Sequence, residues 1–189
     1  MSLLGSARGD YEMRLIISGL GGSGKTTVAG GLSERLAFAH VSAGDLFRQL
    51  ARQRSLSVQE LSRLAEEDLE IDKMIDRMQA ELAESHENVV VDGRMSRWVL
   101  KGGMSVWLKA PLEVRAERIA RREGKTRTVA LRETQMREMS EASRYRAVYD
   151  VDIGDLNVFD LVIDTQHWDP QAVIDIIVQA VRTRRNDQE

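Results

Sequence analysis

The sequence predicts an α/β fold in three layers (α/β/α), with a five-stranded parallel sheet between helices on both faces. Three observations predict it. A short apolar run, Met13 to Ser18, passes through a glycine-rich turn straight into a helical stretch, Thr26 to Leu36. Strand-like and helix-like segments then alternate to the end of the chain, the order that builds parallel sheets with right-handed crossovers. The run Asn88-Val89-Val90-Val91-Asp92 is continuously apolar at its centre, as a strand buried on both faces requires.

The remaining elements follow in order. Residues 1–12 are mostly small and polar and are expected to be a loose tail, with a single domain over 13–181 and a second tail over 182–189. After the first helix, Phe38 to Ser42 reads as strand two, and Leu46 opens a helix. Ser57 to Glu84 carries helical spacing through Leu61, Leu64, Ala65, Ile71, Met74, Ile75, Met78 and Leu82. That is more helix than one crossover needs, so about 43–86 reads as an inserted helical subdomain. Ser105 to Ala110 is the fourth strand, and Pro111 suits the first turn of a helix over Leu112 to Glu123. Gly124-Lys125-Thr126 interrupts, a helix runs from about Val129 to Val148, Asp160 to Thr165 is the fifth strand, and Pro170 starts the last helix.

The chain has 189 residues, enough for one full α/β domain with an insertion. A net charge of −3 offers no global field toward nucleic acid or an anionic membrane, and neither is expected as a partner. There is no cysteine, no apolar stretch long enough to span a bilayer and no signal-peptide pattern, so a cytoplasmic monomer is expected.

Chemistry concentrates in Gly19-Leu20-Gly21-Gly22-Ser23-Gly24-Lys25-Thr26, which fits the phosphate-binding pattern G-x-x-x-x-G-K-[ST] between a strand and a helix. Glycines let the backbone curl so that amides and the helix N-terminus face a phosphate chain. Lys25 is then placed for the β and γ phosphates of ATP and Thr26 for Mg²⁺, with Thr27 beside it. No Asn-Lys-x-Asp stretch for guanine is present, and Val91 leads into Asp92-Gly93-Arg94 rather than Asp-Glu. Both facts favour a small-molecule kinase over a GTPase or a motor.

Three further segments carry a resemblance. Ser42-Ala43-Gly44-Asp45-Leu46-Phe47-Arg48 resembles the second-strand signature of nucleoside monophosphate kinases. Asp92-Gly93-Arg94 resembles their third-strand motif, and Arg137-x-x-x-Glu141-x-x-Arg144 is similar to the lid helix of cytidylate kinases, with Glu for Asp. Longer stretches, His40 to Asp45, Leu64 to Asp72, Trp107 to Ala116 and Arg144 to Ile153, are similar to the short archaeal-type cytidylate kinases of the P-loop nucleoside monophosphate kinase family. Departures are Leu20-Gly21 in the loop, Asp92 where Glu is frequent, and Met95-Ser96-Arg97 before Trp98, which bears on the acceptor pocket.

The resemblance implies ATP-dependent phosphorylation of CMP, and of dCMP, to the diphosphate with release of ADP. It implies an acceptor site from Ser42, Gly44, Asp45, Arg48, Asp72, Asp92, Arg94 and Glu141, in an NMP-binding insert. Arg118 would bind the nucleotide cofactor, and Arg122, Arg137 and Arg144 would close from a lid at about 122–144 with Lys25 and Arg94 as catalytic cations. Mg²⁺ would rest on Thr26 and, through water, Asp92. Glu141 is expected either to fix Arg137 or Arg144 or, the reading preferred, to accept from a ribose hydroxyl; Asp68, Asp72 and Asp76 on the insert are candidates to read the cytosine amine, Asp72 first among them, against a plain solvated face. The competing readings are an adenylate kinase, a kinase of a small metabolite such as shikimate, and a non-catalytic module that binds partners when ATP is present.

Overall fold

The computed structural model describes residues 13–186. Five parallel strands, β1 (Met13–Gly19), β2 (Ala39–Ser42), β3 (Asn88–Asp92), β4 (Met104–Lys109) and β5 (Leu161–Asp164), form one sheet in the order β2-β3-β1-β4-β5. Strand alternation divides the core. Leu15 and Ile17 of β1 face α1 (Lys25–Leu36) and α8 (Pro170–Asn186), where they pack with Val28, Leu32, Ile174 and Ile177. Ile16, between them, faces the other way into Val41, Leu46, Leu50, Leu61 and Ile75.

That second face is covered by α2 (Ala43–Gln53), α3 (Val58–Glu67) and α4 (Glu70–Glu84), the helical insert expected from the sequence. Two of its bounds differ from expectation for local reasons. Ala43, Gly44 and Asp45 are already helical, Asp45 lying in the first turn where a carboxylate suits the helix dipole. The long pattern from Ser57 breaks at Asp68, whose backbone is extended and whose carboxylate accepts from the Glu70 amide at 3.0 Å. Ser57 and Glu60 form a reciprocal cap at the start of α3.

A four-residue helix that periodicity is too short to reveal, α5 (Ser96–Val99), follows β3. Beyond β4, α6 (Leu112–Glu123) ends at Gly124 in the left-handed region, φ 65°. After Lys125 and Thr126, α7 (Arg127–Tyr149) folds back on α6, so the expected lid is a pair of packed helices joined by a tight turn. The last helix continues to Asn186, which corrects the tail expected from 182; the tail expected at 1–12 lies outside the described residues. No helix among the described residues is long and apolar enough to cross a membrane.

The insert is tied to the sheet by one buried polar side chain. Gln79 of α4, with no exposed surface, donates to the Asp92 carbonyl at 3.1 Å and accepts from Ser96 Oγ at 2.8 Å. Gly93 passes between them, since a Cβ there would lie 2.4 Å from Ser96 Oγ. Gln79→Leu keeps the volume but orphans both partners, and is expected to lower the unfolding free energy in urea by about 2 to 4 kcal/mol. A change within about 0.5 kcal/mol would show that the tie is dispensable.

Candidate active site

The site forms at the carboxyl ends of β1 and β3, which pair directly in the sheet. Between β1 and α1 the chain turns through Gly19, Gly22 and Gly24 with φ of 150°, 80° and 96°. Space imposes glycine as well as angle does. A Cβ on Gly19 would sit 2.2 Å from the Leu108 carbonyl oxygen, and one on Gly22 2.5 Å from that of Arg115. Within the turn, the Ser23 amide and Lys25 Nζ both donate to the Leu20 carbonyl, at 3.2 and 2.9 Å.

Asp92 ends β3 beside this turn. Its Oδ2 accepts from Thr26 Oγ1 at 3.0 Å, and its Oδ1 lies 3.0 Å from His40 Nε2. Burial alone would raise the carboxyl; the hydrogen bond from His40, the nearby Ser42 hydroxyl and the charges of His40 and Lys25 outweigh it and hold the group below its ordinary value. The hydrogen bond to Asp92 raises His40 in turn, against its own burial. Thr26 and Asp92 thus present hard oxygens of the kind Mg²⁺ takes. Among the described residues no group of three or more His, Cys, Asp or Glu is placed to hold a metal ion.

Arg94, two residues on, donates through Nη1 to Glu141 Oε1, and Arg137 Nε donates to the same oxygen at 2.9 Å. The Arg94 and Glu141 side chains are 15% and 6% exposed, so this is a buried ion pair. A Cβ on Gly21 would lie 3.1 Å from Arg94 Nη2, which puts the guanidinium against the loop. Burial, then the positive charge of Arg94, brings the Lys25 ammonium down to about 7, while Asp92 and Glu141 pull it the other way. Arg94 Nε and Glu141 Oε2 are buried with no hydrogen-bond partner.

Further along α7 the contacts reach the insert. Arg144 Nε donates to Asp72 Oδ2 at 2.9 Å, Ser140 Oγ donates to Glu66 at 2.8 Å, and the Tyr149 hydroxyl donates to Asp76. Burial raises the Asp76 carboxyl to about 6, the Tyr149 hydrogen bond opposing it.

The structure therefore gathers Lys25, Thr26, Asp92, Arg94, Arg137 and Glu141 from the sequence expectations, with Arg144 and Asp72 next to them. Other expected residues lie apart. Arg122, in the last turn of α6, has a side chain 66% exposed that pairs with Glu123. Thr27 is exposed on α1. Arg118 is on the outer side of the loop, donating to the Gly22 carbonyl at 3.3 Å and to Thr165 at 2.9 and 2.7 Å. Ser42 is buried at the end of β2, whereas Asp45 and Arg48 pair at 2.6 Å on the exposed start of α2, next to Gly44. Arg97 points away from the site, donating to the Val158 carbonyl at 2.9 Å.

Four participants escaped the sequence reading: His40, Arg115, Glu138 and Thr165. His40 lies two residues before Ser42 on a strand whose register pairs Ser42 with Asp92, a signal that could have found it. Arg115, 5% exposed, and Glu138 form a forked pair between α6 and α7, and nothing in a charged helical run marks them.

Comparison with known proteins gives the family. The model of the cytidylate kinase-like family matches residues 15–167. A cytidylate kinase of Archaeoglobus fulgidus is 46% identical over 174 residues, covering 92% of this chain and 97% of that one. Another, from Methanothermobacter thermautotrophicus, is 48% identical over 160 residues, 85% of this chain and 99% of the other. Among solved structures, a shikimate kinase from Bacteroides thetaiotaomicron is similar in fold, with a TM-score of 0.59, 15% identity, and coverage of 90% of this chain and 98% of that one. The fold is that of P-loop kinases, and the chain belongs to the cytidylate kinase-like family.

Proposed function

We propose that this chain transfers the γ-phosphoryl group of ATP to CMP, and to dCMP, giving the diphosphate and ADP. The observation that carries the reading is the pairing of Arg94 from the end of β3 and Arg137 from α7 on the single carboxylate of Glu141, whose charge Lys25 of the loop also feels. Phosphoryl transfer demands little covalent chemistry from a protein; it demands that two anionic groups be held in line and their charge compensated. Cations drawn from three elements meet that demand.

The roles follow from position. The loop and Lys25 hold the donor phosphates, and Arg94 stands between loop and acceptor. Arg48 pairs only with an exposed Asp45, a contact on the order of 1 kcal/mol or less, so a phosphate can take it over. Arg137 and Arg144 close from α7, and Glu141, with one oxygen unpartnered, can accept from a ribose hydroxyl. Asp72 on the insert would face the base, its carboxylate oriented by Arg144. Mg²⁺ on Thr26, with Asp92 reached through water, would compensate charge on the donor phosphates. No general base is required, because the acceptor phosphate is itself anionic at neutral pH.

Coupled ADP-release assays across CMP, dCMP, UMP, AMP and GMP are expected to show the cytosine nucleotides as preferred acceptors. Preference for AMP would overturn the substrate. Lys25→Met should lower kcat by about 100- to 1000-fold without unfolding the protein; full activity would remove the loop from the mechanism.

Lys25 also gives a proton signature. With its pKa at about 7, the amine is largely neutral above that pH, and donor phosphates beside it favour the charged form. ATP binding at about pH 8 should therefore take up nearly one proton, and less as the pH falls below the free pKa. Calorimetry in buffers of different ionisation enthalpy reads this directly. Heats independent of buffer would show that Lys25 does not meet the phosphates.

A further inference from the structure

We propose that Glu138, acting through Arg115, is a positioning residue for the donor phosphates: α7 sets the shape of the phosphate loop by holding the arginine that turns a loop carbonyl outward. In a planar peptide the N–H and C=O point in opposite directions, so fixing the carbonyl fixes the amide on the other side. Three successive loop carbonyls are fixed from outside the loop. Gly21 accepts from Arg115 Nη1 at 3.2 Å, Gly22 from Arg118 Nη1 at 3.3 Å, and Ser23 from Thr165 Oγ1 at 3.1 Å. The amides of Gly22 and Gly24 are thereby turned to the opposite side, while that of Ser23 closes the turn on Leu20. The brace orients donors that an anion can use.

Arg115 is the pivot of this brace. Its backbone abuts Gly22, where a Cβ would lie 2.5 Å from the Arg115 carbonyl oxygen. Its side chain is 6% exposed, donates through Nε to the Ala110 carbonyl at 2.8 Å, and makes a fork with Glu138, Nη2 to Oε2 at 3.2 Å. Arg118 and Thr165 hold each other, but the charge that balances Arg115 comes from α7 alone among the described residues. A buried guanidinium without its carboxylate shifts toward other acceptors or water, and the Gly21 peptide is then free to turn.

The sign of the effect separates positioning from simple charge. A carboxylate near bound phosphates repels them, so on charge alone Glu138→Gln would tighten ATP. Positioning through Arg115 predicts the reverse.

The inference rests on ATP as the donor, so the test begins with ATP binding to the wild-type chain by calorimetry. Glu138→Gln is expected to raise the Kd and KM for ATP by about tenfold, with the KM for CMP changed by less than about twofold; Tm falls as Arg115 loses its buried partner, so binding is read well below the transition. Glu138→Asp keeps the charge but withdraws it by one methylene, and should raise the ATP Kd several-fold. Wild-type affinity or better in Glu138→Gln would overturn the inference alone. If Glu138→Gln fails to fold, an unchanged ATP Kd in Glu138→Asp overturns it instead. A wild-type chain that binds no ATP overturns the donor reading and this inference with it.

Discussion

Buried arginines need counter-charge, and at the top of this sheet much of it is supplied by one helix. Arg94 and Arg115 are both largely shielded from water, and each finds its carboxylate on α7, at Glu141 and Glu138. Removing one partner from such a pair is strongly destabilising, of the order of 3 to 5 kcal/mol, because the remaining charge is left buried. The same two arginines lie against the phosphate loop, so the position of α7 and the electrostatics of the loop are set together.

That constraint explains the arrangement of the rest. From Glu138 to Tyr149, α7 is linked in turn to the phosphate loop through Arg115, to the end of β3 through Arg94, and to the insert directly. A phosphate that competes with Glu141 for Arg94 therefore acts on a helix that also grips Asp72 and Asp76. The sheet below supplies the fixed reference. Its strands pair in register from Met13 against Asn88 to Ile17 against Asp92, which fixes the place of Asp92 beside the loop.

The fold was legible because its signals are local: continuous apolar runs for strands, a glycine turn, and helices of ordinary length. What local signals could not show were breaks made by single side chains, such as Asp68 capping Glu70, and the four-residue helix after β3. At the site, residues with an unusual pattern or place were found, as with Lys25 in its loop and Arg94 after the third strand. Arg115 and Thr165 escaped because their work is done on backbone carbonyls, which leave no mark in a sequence. Arg118 and Arg122 look alike in the chain; only packing shows that one braces the loop and the other faces solvent.

On this reading Arg94 belongs to the phosphates, and Glu141 is its partner within the protein. A crystal structure with a bisubstrate analogue joining adenosine and cytidine through a phosphate chain tests this most directly. The Arg94 guanidinium is expected within hydrogen-bond distance of phosphate oxygens, with its link to Glu141 lengthened or lost. Arg94 still bound to Glu141, with no phosphate oxygen in reach, would contradict it.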